Sequence, residues 1–497
     1  MSPTTRRALV AAGFAGYVLL HLVIVARSHI PWFDDTFFAS IADTLRRTGE
    51  FRLAVSPLWM AQPVYLYGPT YFVVVAGAFA TLGRGVLAYR LTSLIAAFAL
   101  LVVAVRLLRR RGVEKRFALA AGVLIALDPI FLEILRVGRM DLLAVLFLLL
   151  SFLALDSAKP PSGRSGLLYA ALSGLLASLG ILTTPRPGYL LVPLGLILLY
   201  RCYAGPLAYR LAQLGAWITA FTPLCIAWIA YAFGGIGPLL TYFSAFAGDY
   251  AGGGLGIISV QKPVLTLLLL FSVLKLIREP KDFLDEFAVF VGLGIVLFML
   301  LVKNTAPFGG GYSILVIPFE YMGLAWLVSN CPRLSVPIST PTLQRLAFVP
   351  LFLLNGAFFL AIVSSDLLLW PALDPAAAAT EITASIPPGS KVVGDDKFYF
   401  LVRQAGSDFQ YLERGGSLAE RAKYQTDTYG FDYLITASDE NSDVLRAYRA
   451  RADLAKVAAI DAPTLSWLVR YPLWLRGHLI MWGITTNYGG VIYKRVR

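Results

Sequence analysis

Two adjacent aspartates, Asp34 and Asp35, have a type and position that could support chemistry. They lie near the start of the segment IPWFDDTFFASIADTLRRTGEF (30–51), whose apolar residues recur at helical spacing up to Gly49. Aspartates in the first turn of a helix are also favoured as caps, because they accept hydrogen bonds from free backbone N–H groups. One aspartate is sufficient for a cap, so the second carboxylate remains available as a general base. The residues alone are consistent with both interpretations.

A second group of charged residues occurs further along the chain. Arg136, Arg139 and Asp141 fall within LDPIFLEILRVGRMDLLAVL (127–146), where Asp141 opens an apolar segment. Arginines at the end of a membrane span often act only as anchors, with their stems in lipid and their charges in water. Beside a carboxylate they also suit a phosphate group, because a guanidinium pairs with phosphate oxygens through two parallel hydrogen bonds.

Two further cations, Arg186 and Lys303, lie in polar breaks between apolar segments. Arg186 belongs to TTPRPGYL (183–190) and Lys303 to VKNTAPFGGGY (302–312). The glycines of the second break are compatible with a mobile flap over a site and equally with a flexible connection. Several cations beside two or three carboxylates predict a site for a phosphate-bearing lipid next to a general base.

The composition assigns these residues to a membrane protein. Of the 497 residues, 58% are hydrophobic and 15% are charged, and the mean hydropathy is +0.69, whereas a soluble domain carries roughly 25% charged residues. The net charge of +13 does not predict nucleic-acid binding, because the basic residues lie between apolar segments and form no single stripe. The first apolar segment, 8–26, is expected to be a retained signal anchor, since it is long and lacks a cleavage site.

The apolar segments predict a polytopic α-helical membrane protein with about eleven spans. The predicted spans are 8–26, 88–106, 117–134, 141–156, 166–183, 188–201, 211–231, 263–277, 286–302, 312–329 and 346–369. The basic loops fall on one side, which the positive-inside rule assigns to the cytoplasm, so the N-terminus is inside and both groups of charged residues are outside. Residues 69–83 are predicted to be a short helix at the outer leaflet, which makes the loop 27–87 extracytoplasmic. The alternative is a true span at 69–83, which would violate the charge rule.

Residues 371–497 predict a small extracytoplasmic α/β domain that follows a membrane domain over 1–370. Strand-like runs at 391–394, 431–436 and 490–494 alternate with helical stretches. All three cysteines precede this domain, so no disulfide is predicted within it.

In their order and spacing these motifs resemble the GT-C superfamily of membrane glycosyltransferases, particularly the protein O-mannosyltransferase and lipid A aminoarabinose transferase group. DDTFFASIADTLRRTG resembles the acidic juxtamembrane helix of the family, YGPTYFVVVAGAFATLG resembles the apolar segment after a Pro-rich turn, and RVGRMDLLAVL resembles the loop with a second aspartate. GLLASLGILTTPRPGYL and YSILVIPFEYMGLAW resemble later segments. The resemblance covers roughly residues 8–330. It implies that Asp34 is the catalytic carboxylate, Asp35 its acidic neighbour and Asp141 the second acidic position.

Two departures from the family's pattern bear on the substrate and the metal. Family lysines that contact lipid phosphate in the aminoarabinose branch are replaced by Tyr67 and Thr184, so Arg186 is expected to supply the missing charge. The D-x-D pattern of the oligosaccharyltransferase branch appears here as R-M-D (139–141). A divalent metal would find too few ligands in that pattern, so a metal-independent site is expected.

The resemblance implies transfer of a sugar from a polyprenyl-phosphate donor to an extracytoplasmic lipid, glycan or protein, with inversion and without a cofactor. In that reaction the departing phosphate would be stabilised by Arg136, Arg139 and Arg186. Tyr67 and Lys303 are also expected to bind the substrate. The chain is accordingly expected in a bacterial-type inner or plasma membrane, with its C-terminal domain outside.

Two other classes of function fit the sequence less well. A transporter or flippase of an anionic lipid-linked substrate would predict inverted repeats, and the sequence shows no internal repeat. An O-antigen ligase or polymerase would use histidine chemistry, and the sequence contains only His21, His29 and His478.

Overall fold

The computed structural model describes most of the chain. The described residues are 2–27, 30–56, 67–158, 163–203, 207–241, 286–301, 311–330, 340–412, 417–437, 442–461 and 487–496. The predicted span 263–277 and the candidate residue Lys303 lie outside them.

Helices dominate the first three quarters of the chain. They are α1 (Pro3–Val25), α2 (Phe33–Thr48), α3 (Pro69–Leu82), α4 (Val86–Arg110), α5 (Lys115–Leu127), α6 (Pro129–Arg136), α7 (Asp141–Ser157), α8 (Gly163–Ile181), α9 (Leu191–Tyr203), α10 (Leu207–Phe233), α11 (Glu286–Leu301), α12 (Ile317–Asn330) and α13 (Thr340–Leu368), with 3-10 turns at Arg186–Leu190 and Gly311–Leu315.

Five helices of the described residues are long and apolar enough to cross a membrane, or six if α5 and α6 count as one bent span. The chain is therefore an integral membrane protein, while the expected total of eleven spans stays a prediction. The segment 117–134, predicted to be one span, is bent by 61° between α5 and α6. Pro129 begins α6 and the Asp128 side chain accepts hydrogen bonds from two backbone N–H groups of its first turn, so the break is capped.

Ion pairs gather at one end of the bundle. Arg111, which follows α4, pairs with Asp156 of α7 at 2.8 Å and with Glu286 of α11 at 3.2 Å, and Arg201 of α9 pairs with the same glutamate at 2.6 Å. Arg90 lies near the start of α4, about 30 Å away at 1.5 Å per residue. This separation matches the thickness of the hydrocarbon core of a bilayer. Arg111 and Arg201, two of the cations predicted to be cytoplasmic, therefore lie at the opposite end of the bundle from Arg90.

Helix α3 covers the disputed segment 69–83. With 14 residues it is about 21 Å long, shorter than the roughly 30 Å core of a bilayer. At its start the Thr70 backbone N–H donates to Leu182 O at 3.1 Å. Just beyond its end, Gly85 lies against the side chain of Gln404, which belongs to the C-terminal domain. These contacts favour the short outer helix, and the topology itself stays a prediction.

The C-terminal residues form the small sheet domain that the sequence predicts. Its strands are β1 (Lys391–Gly394), β2 (Asp408–Tyr411), β3 (Tyr433–Thr436), β4 (Leu454–Ile460) and β5 (Gly490–Arg495), and its helices are α14 (Ala376–Ser385), α15 (Tyr399–Gln404), α16 (Leu418–Tyr424) and α17 (Asp443–Arg449). The strand order is β2-β1-β3-β5-β4. Strands β2, β1 and β3 are parallel, whereas β5 is antiparallel to both of its neighbours.

The two faces of this sheet are buried against different partners, as alternating side chains allow. One face, with Val392 and Ile435, belongs to the same hydrophobic core as the membrane helices, and Phe400 packs its ring 5.8 Å from that of Tyr89 in α4. The opposite face, with Leu434, forms a separate cluster with the domain's own helices. The membrane bundle and the sheet therefore share one continuous core.

Candidate active site

Asp34 belongs to the first turn of α2 without acting as its cap. The N-cap position is Trp32, and the Asp34 carboxylate instead forms an ion pair with Arg139 through Oδ2. Its side chain is 22% exposed. Burial raises the pKa of Asp34 above its usual value, although the positive charges of Arg139 and Arg186 oppose this effect. Asp34 is thus a partly accessible carboxylate with a greater affinity for protons than an ordinary aspartate.

Asp35 has a different environment from its neighbour. Its Oδ2 accepts a hydrogen bond from Arg90 Nη2 at 2.6 Å, and its Oδ1 accepts one from the backbone N–H of Gly138 at 3.1 Å. Both members of the Asp35–Arg90 pair are fully buried. Because its two oxygens are engaged and shielded from solvent, Asp35 connects α2 to α4 and to the loop 137–140.

The loop 137–140 is fixed through its backbone. Tyr71 donates to Gly138 O at 2.7 Å, Tyr89 donates to the same oxygen, and Ser93 donates to Arg139 O at 2.7 Å. A Cβ at position 138 would lie 1.9 Å from the ring of Tyr89, so glycine is required there. These contacts place the side chain of Arg139 accurately, since the backbone that carries it has little freedom.

Arg139 links the two acidic positions. Its Nε donates to Asp141 Oδ2 at 2.8 Å, while its Nη1 reaches Asp34. Asp141 is the first residue of α7 and is fully buried. The chain therefore brings Asp34 and Asp141 together through one guanidinium, although they are far apart in sequence.

Arg186 extends this group of charges at the start of a 3-10 turn. Its Nη1 lies 3.4 Å from Asp141 Oδ1, and its Nη2 donates to the hydroxyls of Tyr67 at 2.8 Å and Tyr312 at 3.2 Å. The guanidinium also lies over the Tyr312 ring at 4.5 Å. Two neutral hydroxyls and one long contact to a carboxylate leave Arg186 less neutralised than Arg90 or Arg139.

Solved structures resemble this chain over most of its length. ArnT from Cupriavidus metallidurans, in the apo state and bound to undecaprenyl phosphate, superposes with a TM-score of 0.58 and 14% identity, covering 99% of this chain and 98% of ArnT. The arabinosyltransferase EmbB from Mycobacterium smegmatis gives a TM-score of 0.50 and 14% identity, covering 92% of this chain and 46% of that one. The chain has the GT-C fold. Comparison of its amino-acid sequence with protein-family models and with curated proteins finds no match.

Within the GT-C fold, the residues predicted from sequence separate into two groups. Asp34, Asp35, Asp141, Arg139, Arg186 and Tyr67 come together as described. Arg136 does not join them: it is fully buried and pairs with Asp366 of α13. The reason is that α6 ends at Arg136 and the loop 137–140 then turns away, so the two arginines face different neighbours.

Two residues of the site were not predicted from sequence. Arg90 stands in the first turns of a predicted span, at its outer end, and the positive-inside rule disfavours a cation there. An arginine at the outer end of a predicted span was therefore the sequence feature that could have identified Arg90 as part of the site. Tyr312 ends the motif GGGY, in which only the glycines and Lys303 attracted attention.

The described residues contain no group of three or more His, Cys, Asp or Glu side chains arranged to hold a metal ion. The three acidic side chains of the site accept hydrogen bonds from Arg90, Arg139 and Arg186. These carboxylates are therefore arranged around guanidinium groups.

Proposed function

We propose that this protein is a glycosyltransferase that moves a sugar from a polyprenyl-phosphate donor to a hydroxyl of an extracytoplasmic acceptor, with inversion at the anomeric carbon. The observation that carries the proposal is the connected group Asp34, Arg139, Asp141 and Arg186, at the end of the bundle that contacts the C-terminal domain. The shared fold supports it, because one ArnT structure contains undecaprenyl phosphate.

Asp34 is the general base of the proposed reaction. Its Oδ2 faces Arg139, whereas within the described residues Oδ1 has no hydrogen-bond partner. Oδ1 takes the proton of the acceptor hydroxyl as the acceptor oxygen forms a bond to the anomeric carbon. The raised pKa of Asp34 strengthens it as a base, and general-base assistance contributes about 10²–10⁴-fold to a rate.

Arg186 and Arg139 serve the leaving group. As the bond between the anomeric carbon and the phosphate oxygen breaks, its electron pair remains on the polyprenyl phosphate. A guanidinium can bind two oxygens of the departing phosphate at once. Fixed hydrogen-bond donors placed where negative charge develops lower the activation barrier. Tyr67 and Tyr312 hold Arg186 with hydrogen bonds that do not cancel its charge.

We propose in addition that the reaction needs neither a metal nor another cofactor. Asp34 and Asp141 both pair with Arg139 through Oδ2, so a divalent cation that used both oxygens of each carboxylate would have to displace this guanidinium. The expectation is tested by treating the purified protein with EDTA and then adding Mg²⁺, Mn²⁺ or Ca²⁺. Turnover should be unchanged throughout, and a loss of turnover that one of these metals restores would contradict it.

The function is tested with purified protein in nanodiscs, polyprenyl-phosphate sugars as donors, and envelope glycolipids, glycans or a protein extract as acceptors. Mass spectrometry of envelope material from a deletion strain identifies which product is lost and so selects the donor and the acceptor. Wild-type protein should transfer the sugar, and Asp34→Asn should not. If wild-type protein instead moves the lipid-linked substrate between leaflets and forms no new glycosidic bond, the proposal is wrong.

A further inference from the structure

The C-terminal domain contacts the helix that carries Asp34 and Asp35. Helix α2 is an amphipathic helix of 16 residues outside the predicted spans. An isolated helix of this length is only marginally stable in water, so its order depends on packing. The contacts of α2 with the sheet domain therefore help to fix the position of Asp34, together with the Asp35–Arg90 pair.

The strongest of these contacts is a buried ion pair. Arg403 of α15 donates through Nη2 to Asp43 Oδ2 at 2.9 Å, and the side chains are only 7% and 3% exposed. Arg403 also donates through Nη1 to Asp408 at 2.7 Å within its own domain. Burial alone would raise the pKa of Asp43. The positive charges of Arg403, Arg47 and Arg46 outweigh this effect and lower the pKa of Asp43 below its usual value. The pair thus stays charged at neutral pH.

A second set of contacts lies two turns away at the start of α2. Thr36 donates through its hydroxyl to Asp396 O at 3.1 Å, and Tyr411 donates through its hydroxyl to Phe33 O at 3.3 Å. Thr36 and Asp43 are seven residues apart and lie on the same face of the helix. The domain therefore holds α2 at two points along one face, on either side of its midpoint.

The second set of contacts comes from the edge of the sheet at which its parallel strands end. Asp396 follows β1 and Tyr411 ends β2, so both lie at the carboxyl ends of parallel strands. In open α/β sheets this edge normally binds the ligand. Here it contacts α2 and the segment after it, where Tyr411 N donates to Val55 O at 2.8 Å.

From these contacts we infer that Arg403 is a positioning residue, which acts through Asp43 to hold α2, and so Asp34, in its working position. The inference rests on the proposed function for its catalytic part. Asp43 lies nine residues beyond Asp34, about 13 Å along the helix, so Arg403 does not touch the reacting atoms. A displacement of about 1 Å at a reacting group can cost about 10²-fold in rate.

The test compares Arg403→Gln, Arg403→Lys and Asp43→Asn with the control Asp408→Asn, which removes the second carboxylate that pairs with Arg403 and leaves α2 untouched. Arg403→Gln and Asp43→Asn should lower kcat about 10- to 100-fold with the donor KM changed less than about twofold. Arg403→Lys should recover part of kcat, because it restores the charge. The double variant Asp43→Asn/Arg403→Gln should lose no more kcat than the worse of the two single variants, because both substitutions break the same Asp43–Arg403 ion pair.

Hydrogen exchange supplies a readout that does not depend on activity. Backbone amides of 33–48 should exchange faster in Arg403→Gln and Asp43→Asn than in wild-type protein and Asp408→Asn. If wild-type protein transfers no sugar, the proposed function fails and the exchange data still decide the inference. Unchanged exchange in 33–48, or a kcat within twofold of wild type in a folded Arg403→Gln protein, would overturn it. If Arg403→Gln does not fold, Arg403→Lys and Asp43→Asn decide by the same two measurements.

Discussion

Substitution of the two aspartates in α2 gives the sharpest test of the proposed function, because the two variants should lose different properties. We expect Asp34→Asn to lose turnover and keep its stability. We expect Asp35→Asn to lose stability first. Each substitution is isosteric, so any difference arises from the charge and not from packing.

The magnitudes follow from the surroundings of each side chain. Loss of a general base costs about 10²–10⁴-fold, or about 3–5 kcal/mol of transition-state stabilisation. Asp34 is partly exposed, and its partner Arg139 keeps a 2.8 Å contact with Asp141, so the stability cost of Asp34→Asn should stay within about 1 kcal/mol. Asp35→Asn removes the carboxylate that pairs with the fully buried Arg90. Removing one partner of a buried ion pair destabilises a fold by about 3–5 kcal/mol.

The assay measures sugar transfer and the midpoint of thermal unfolding on the same purified preparations. Asp374→Asn is the matched control, since Asp374 pairs with Arg27 at 3.3 Å and the two side chains are 35% and 34% exposed. It should change neither quantity. The reasoning is refuted if stable Asp34→Asn protein turns over at near the wild-type rate, or if Asp35→Asn unfolds at the wild-type temperature.

Three further predictions follow from the same site and its topology. The catalytic form of Asp34 is the ionised one and its pKa is raised, so kcat/KM should fall as pH decreases, with a midpoint above the usual carboxylate value of about 4; a midpoint at or below that value would contradict the assignment. Arg186→Ala should lower kcat/KM for the donor about 10- to 100-fold, and Arg186→Lys should recover part of it; full activity in both would make the arginine only an anchor. In a protein with its native cysteines replaced by serine, Lys115→Cys should resist an impermeant thiol reagent in intact cells and Arg446→Cys should react. Labelling of both would show that the charge rule misassigned the topology.

Much of the site could be predicted from the distribution of charge along the chain. The basic loops predict an orientation of the spans, and that predicted orientation places Asp34 and Asp141 at the same end of the bundle. What charge does not encode is the direction of a side chain. Arg136 and Arg139 are three residues apart, and only the end of α6 between them sends one to Asp366 and the other to Asp34.

The partners of Asp34 and Asp35 could not be predicted from the sequence, because they are also set by the directions of side chains in the folded chain. Asp35 pairs with Arg90 through a tertiary contact that no local sequence pattern indicates. Capping was one of the two interpretations that the sequence allowed for the aspartates, and in the structure Asp34 pairs with Arg139 and Asp35 pairs with Arg90. The bend at Asp128 was readable in principle, because a proline follows directly, but hydropathy averaged over 117–134 conceals it.

The contact between Asp43 and Arg403 also has a consequence for biosynthesis. The two residues are 360 positions apart in the chain, which a ribosome covers in roughly 20–70 s at about 5–20 residues per second. During that interval α2 is already made, while Arg403 is not yet synthesised. Under the proposal above, a chain that lacks Arg403 should insert into the membrane with its carboxylates present and with a lowered rate of turnover. Full activity should begin only after the sheet domain has folded against α2.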